Sequence, residues 1–135
     1  MDMSTINWMA VVAAAVLNFF LGGLWYSPVL FGKAWQKENQ LSDETLKQGN
    51  MAGIFGFAFL WSFVMSFNLA MFLNDKDTDM SWGIAAGFLA GFGWVAAAIY
   101  IIGLFERRST KYMLINSGYM IISFLLMGLI IGAWR

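Results

Sequence analysis

The chain has 135 residues, 60% of them hydrophobic and 12% charged, with eight basic and eight acidic side chains and a net charge of zero. A soluble domain carries about 25% charged residues, and a chain this short could not bury so much apolar surface in one water-soluble core. There is no cysteine and no histidine, so disulfides, thiolate metal sites and thiol catalysis are excluded and the commonest general base and metal ligand is missing; no basic patch points to nucleic acid.

Four apolar stretches, 6–24, 51–73, 82–105 and 112–134, fill most of the chain, and every charged residue falls outside them. Each is close to the roughly 20 apolar residues that cross about 30 Å of hydrocarbon. They are continuous and do not alternate as barrel strands do, and lipid tolerates only helices or closed barrels. The expected fold is an all-α membrane protein: four transmembrane helices in an antiparallel bundle, as a single domain over 1–135. The first stretch is read as retained and not as a cleaved leader. Its flank carries Asp2 and no Lys or Arg, and the apolar run ends at Trp25-Tyr26, not at a small-residue cleavage site.

The first connection, 25–50, opens with Trp25-Tyr26-Ser27-Pro28. Proline ends the first helix, since it removes a donor and pushes the preceding residue out of the α region. Val29, Leu30, Phe31, Ala34 and Trp35, interleaved with Lys33 and Lys37, read as a short amphipathic helix lying in the headgroup layer. Ser42 then caps a further helix start. The second connection carries Asp75, Asp77 and Asp79. This matches the first half of a calcium loop, but Met80 stands where the glycine belongs and no closing glutamate follows. A solvated turn capping the third helix is the better reading.

The third connection, 106–111, contains Glu106-Arg107-Arg108. Two readings are open: a headgroup-level site for lipid phosphate, or a topology determinant whose side chains snorkel. Lys33, Lys37, Lys47, Arg107, Arg108 and Lys111 lie on one side, against Lys76 and Arg135 on the other. The bias places loops 25–50 and 106–111 in the cytoplasm and both termini outside.

Within the spans, Gly83, Gly87 and Gly91 recur every four residues on one helix face. Small residues in that pattern let two helices approach closely, either in a homodimer or within the bundle. The amides Asn18, Asn68 and Asn116, which lie inside the spans, either line a polar cavity or pair between helices. No Asp, Glu, His, Lys or Arg lies in any span, so proton antiport through a membrane-buried carboxylate has no carrier here. No paired aspartates, metal set or Ser-His unit is available for an intramembrane protease.

The run Gly22-Gly23-Leu24-Trp25-Tyr26-Ser27-Pro28-Val29-Leu30-Phe31-Gly32-Lys33-Ala34-Trp35 resembles the hallmark of domain-of-unknown-function family 1761. Leu104-Phe105-Glu106-Arg107, Ile115-Asn116-Ser117-Gly118-Tyr119 and Gly132-Ala133-Trp134 are similar to it as well. The resemblance implies a small four-span bacterial membrane protein, supplies no activity, and marks Trp25, Tyr26, Ser27, Pro28, Phe31, Gly32, Lys33 and Trp35 as the special segment. The expected role is therefore non-enzymatic, with no cofactor: binding of lipid, a hydrophobic small molecule or a partner membrane protein in the inner membrane, as a homo-oligomer or accessory subunit. Two rivals make different demands. A transporter or channel needs a polar path past Asn18, Asn68, Asn116 and Tyr26. A lipid-modifying enzyme needs two of Glu38, Asp43, Glu44 and Glu106 in one cleft.

Overall fold

In a computed structural model, which describes residues 2–135, the chain forms four long apolar helices packed together. The spans are α1 (Trp8–Trp25), α4 (Met51–Phe72), a third helix over Met80–Phe105, and α7 (Thr110–Ala133). The third is made of α5 (Met80–Ala90), a π turn (Gly91–Ala96) and α6 (Ala97–Phe105). Two short helices, α2 (Gly32–Asn39) and α3 (Asp43–Lys47), lie between α1 and α4. Each span opens on a side chain that satisfies otherwise orphaned backbone donors. Asn7 accepts from the N–H groups of Met9 and Ala10, Asn50 from Gly53, Asp79 from Trp82 and Ser109 from Tyr112. By the length and composition of its helices this is a multi-pass membrane protein.

The first interfacial helix begins three residues later than the apolar pattern suggests. Residues 27–31 instead form a turn folded back on the end of α1: Phe31 donates to the Trp25 carbonyl at 3.0 Å, and Leu30 and Gly32 donate to the Ser27 carbonyl at 3.1 and 2.8 Å. The turn is so tight that a Cβ at Gly32 would lie 2.6 Å from the carbonyl carbon of Ser27, against the Tyr26 carbonyl as well. Only glycine fits there. Gln40, in the left-handed region at φ 55°, closes α2.

Helix α7 is central. It packs on α5 through four glycines. A Cβ at Gly83 would stand 2.9 Å from Gly132 Cα, and one at Gly87 would stand 2.9 Å from the Phe124 carbonyl carbon and 3.3 Å from Gly128 Cα. With no hydrophobic drive inside lipid, this backbone-on-backbone contact is what holds the pair by dispersion. Gly91 meets Phe124 and the backbone of Ile121 at the start of the π turn. The glycine ridge is thus spent on a helix of its own chain.

On its other side α7 meets α1, and α1 meets α4. Val11, Ala14, Leu69, Ala70, Leu73, Met127 and Ile131 form a sealed core near the end of the bundle that holds the termini. Ser66 is fully buried and donates to the Val11 carbonyl at 2.7 Å. That end is knitted together by polar bonds: Thr5 to Asn74 at 2.9 Å, Asn7 to the Trp134 carbonyl at 3.1 Å, and Arg135 to the Asp75 carbonyl at 2.8 Å. The aspartate turn does what a solvated turn does. Asp79 caps α5 and Asp75 accepts from the Asp77 N–H, and among the described residues no cluster of His, Cys, Asp or Glu is arranged to hold a metal.

Candidate cavity beneath the interfacial helices

At the opposite end α1 and α4 part, and a cavity of about 810 Å³ opens between them, backed by α7 and bordered by α2, α3 and the loop that follows. Its walls are Phe19, Phe20, Ile54, Phe55, Trp61, Met65 and Met120, with Trp35, Leu41 and Leu46 from the interfacial segment. Size and lining are those of a small-molecule site: mostly apolar, with a few polar groups converging on it. Phe20, Phe55 and Trp61 stand at the rim, 67%, 50% and 63% exposed. All three lie inside spans, so the opening faces hydrocarbon.

The polar groups form two sets. The deeper set is centred on Asn18, which is 2% exposed near the middle of α1. Its amide donates to Ser62 Oγ at 2.8 Å, and Ser62 donates on to the Ala58 carbonyl at 2.9 Å. The Tyr119 hydroxyl lies 2.9 Å from the Asn18 backbone carbonyl oxygen and 3.0 Å from Asn18 Oδ1, its one proton shared between the two acceptors. The chain makes room for this phenol at Gly22, where a Cβ would lie 2.8 Å from the hydroxyl oxygen. Asn18 therefore both pairs between helices and borders the cavity.

The second set lies under the interfacial helices. Tyr26, just past the end of α1, donates to Asn116 Oδ1 at 2.5 Å. Its ring makes edge-on contacts with Trp35 (5.3 Å between centroids) and Tyr119 (5.4 Å). Burial pushes the Tyr26 phenol well above its ordinary pKa, with the neighbouring tyrosines adding to the shift, so it remains a neutral hydroxyl. Trp25 anchors the same corner, donating from Nε1 to the Ile115 carbonyl at 2.9 Å and packing its ring on Phe31 at 4.7 Å. An Arg108 to Asn39 hydrogen bond ties α2 to the third connection.

The special segment thus divides. Tyr26 and Trp35 line the cavity, while Trp25, Phe31 and Gly32 hold the turn that positions them. Ser27 donates to the Leu24 carbonyl at 2.6 Å as part of that turn. Pro28 and Lys33 are exposed and take no part in the cavity wall. Asn68, expected beside the other two amides, is the correction: it is exposed on α4 and does not border the cavity. It lies about 200° around the helix from Ser66, whose face is buried. None of Glu38, Asp43, Glu44 and Glu106 borders the cavity either.

Phe19, Phe55 and Trp61 had no separate signal in the sequence, and Tyr119 stood out only as the end of the run 115–119 that resembles the family. A further signal for Tyr119 existed: it follows Asn116 by three residues, so both share one face of α7.

The sequence model of a family described as a protein of unknown function (DUF1761) matches residues 9–132. The chain belongs to the DUF1761 family. That match takes in the four spans, but for Trp8 at the start of the first and Ala133 at the end of the fourth, and every residue bordering the cavity. Neither a curated protein nor a solved structure matches this DUF1761 chain.

Proposed function

We propose that this DUF1761 protein is a non-enzymatic binding protein of the bacterial cytoplasmic membrane that takes up a hydrophobic molecule laterally from the bilayer. The observation that carries the reading is the cavity between α1 and α4, about 810 Å³ in volume and rimmed by Phe20, Phe55 and Trp61 within the spans. Six of the eight basic residues lie on the connections at the cavity's end, which supports placing that end in the cytoplasmic leaflet. A transporting role is less favoured. Beyond Asn18 the bundle is closed by Val11, Ala14 and Ala15, all with no exposure, so no polar path continues to the far side.

Purification in mild detergent followed by native mass spectrometry tests this. The wild-type protein is expected to carry a hydrophobic adduct, and Ala58→Trp, which places an indole in the cavity, is expected to lose it. A wild-type protein that stays bare after reconstitution into nanodiscs of bacterial lipid extract would overturn the reading.

A further inference from the structure

The polar atoms of the cavity say more about what it holds. Every residue bordering it is uncharged, although the neighbouring helices carry Lys37, Asp43, Glu44 and Lys47. Hydrogen-bonding capacity is nonetheless left over. Asn116 accepts from Tyr26 through Oδ1, and its two amide N–H donors have no protein partner among the described residues. That nitrogen is not sealed off; the sealed polar atoms without partners are Arg108 Nε, Ser117 Oγ and Ser123 Oγ. The hydroxyl oxygens of Tyr26 and Tyr119, having donated their protons, keep lone pairs. The wall beneath the interfacial helices therefore offers donors at Asn116 and acceptors at two phenols, with no formal charge of either sign.

Resting on the binding function proposed above, we infer that the occupant is a neutral amphiphile whose polar end is a carbonyl or a hydroxyl. It docks against Asn116 and Tyr26, with its apolar chain along Phe19, Phe55 and Trp61 toward the bilayer. An ionised headgroup would be stripped of water without a counter-charge, and the cost of burying an unpaired ion far exceeds that of a hydrogen-bonded dipole. A quaternary ammonium meets the same cost, since no carboxylate borders the cavity to balance its charge. A carbonyl oxygen accepts from the free Asn116 N–H; a hydroxyl accepts there and donates to a phenol oxygen.

The test uses the full chain in nanodiscs, with probes added at equal low mole fraction and bound adducts counted by native mass spectrometry. Hexadecanol and dioleoylglycerol are the neutral probes. Hexadecyl sulfate, hexadecyltrimethylammonium and dioleoylphosphatidate are their charged counterparts with matched chains. The expected result is that at least one neutral probe binds about tenfold more tightly than its charged counterparts, and that Asn116→Leu weakens it several-fold, as loss of one buried hydrogen bond would. Preference for the alcohol marks a single-chain ligand and preference for the diacyl probe marks a membrane lipid; both support the inference. Tyr26→Phe gives a second variant, expected to weaken the neutral probe because Asn116 loses its orienting partner. Charged probes binding as well as neutral ones, or neutral binding unchanged in both folded variants, would overturn the inference while leaving the cavity a binding site. No probe of any kind binding would instead remove the proposed function itself.

Discussion

Asn18 ties three helices together, since its amide joins α1 to α4 through Ser62 and to α7 through Tyr119. Interhelical bonds of this kind contribute about 0.6–2 kcal/mol each in a membrane. Asn18→Leu is expected to lower unfolding stability in bicelles by about 1–3 kcal/mol, read from a denaturant titration. Tyr26 yields a pH prediction. Its folded-state pKa is raised, chiefly by burial, so its contribution is intact below the unfolded value of about 10 and is lost as pH rises above it. Thermal stability should fall above that pH, and Tyr26→Phe should lessen the fall; identical alkaline profiles would refute the assignment. Asn18 and Asn116 were legible in the sequence because polar groups in apolar stretches must find partners, and Tyr26 because it stands in the Trp-Tyr-Ser-Pro segment that carries the family resemblance. Asn68 obeyed the same composition rule and faces outward, since its position on the helix, opposite Ser66, decides the matter. The aromatic walls were not legible: in a lipid-facing surface crowded with phenylalanine and tryptophan, nothing distinguishes Phe19, Phe55 or Trp61 before the helices are placed.

Among the helices, the α5–α7 pair depends on backbone contact at Gly83, Gly87, Gly128 and Gly132. Leucine at position 87 would drive a side chain into the Phe124 carbonyl, an obstacle that cannot rotate away. Gly87→Leu is expected to cost about 3 kcal/mol or more, at or beyond the upper end of overpacking penalties, and to lower the melting temperature in detergent; an unchanged melt would remove the glycine contact as the source of cohesion. The four-residue spacing of these glycines could be read from the sequence, but their partner could not, because a homodimer and an internal pair require the same ridge. The start of α2 was misjudged for a similar reason. Val29, Leu30 and Phe31 continue the apolar pattern, and only the approach of Gly32 to the carbonyls of Tyr26 and Ser27 makes them a turn.

For the molecule as a whole, the four crossings were legible almost to the residue, because hydrocarbon excludes charge and forces helices, and the caps at Asn7, Asn50, Asp79 and Ser109 set the boundaries. Topology can be measured directly, since the chain has no native thiol. In intact cells an impermeant maleimide should label Lys76→Cys and spare Lys37→Cys; the reverse pattern would invert the orientation. The π turn at Gly91–Ala96 bears on chain length. Gly91 packs on α7, and twelve residues later Gly103 meets Met113 of the same helix. At 100° per residue a regular helix would swing Gly103 about 120° away, whereas a π turn absorbs one residue and brings it back. This span therefore carries a surplus residue: deleting the outward-facing Phe92 should let ordinary α turns rebuild the same seam, and a relative one residue shorter at this point would keep the architecture unchanged.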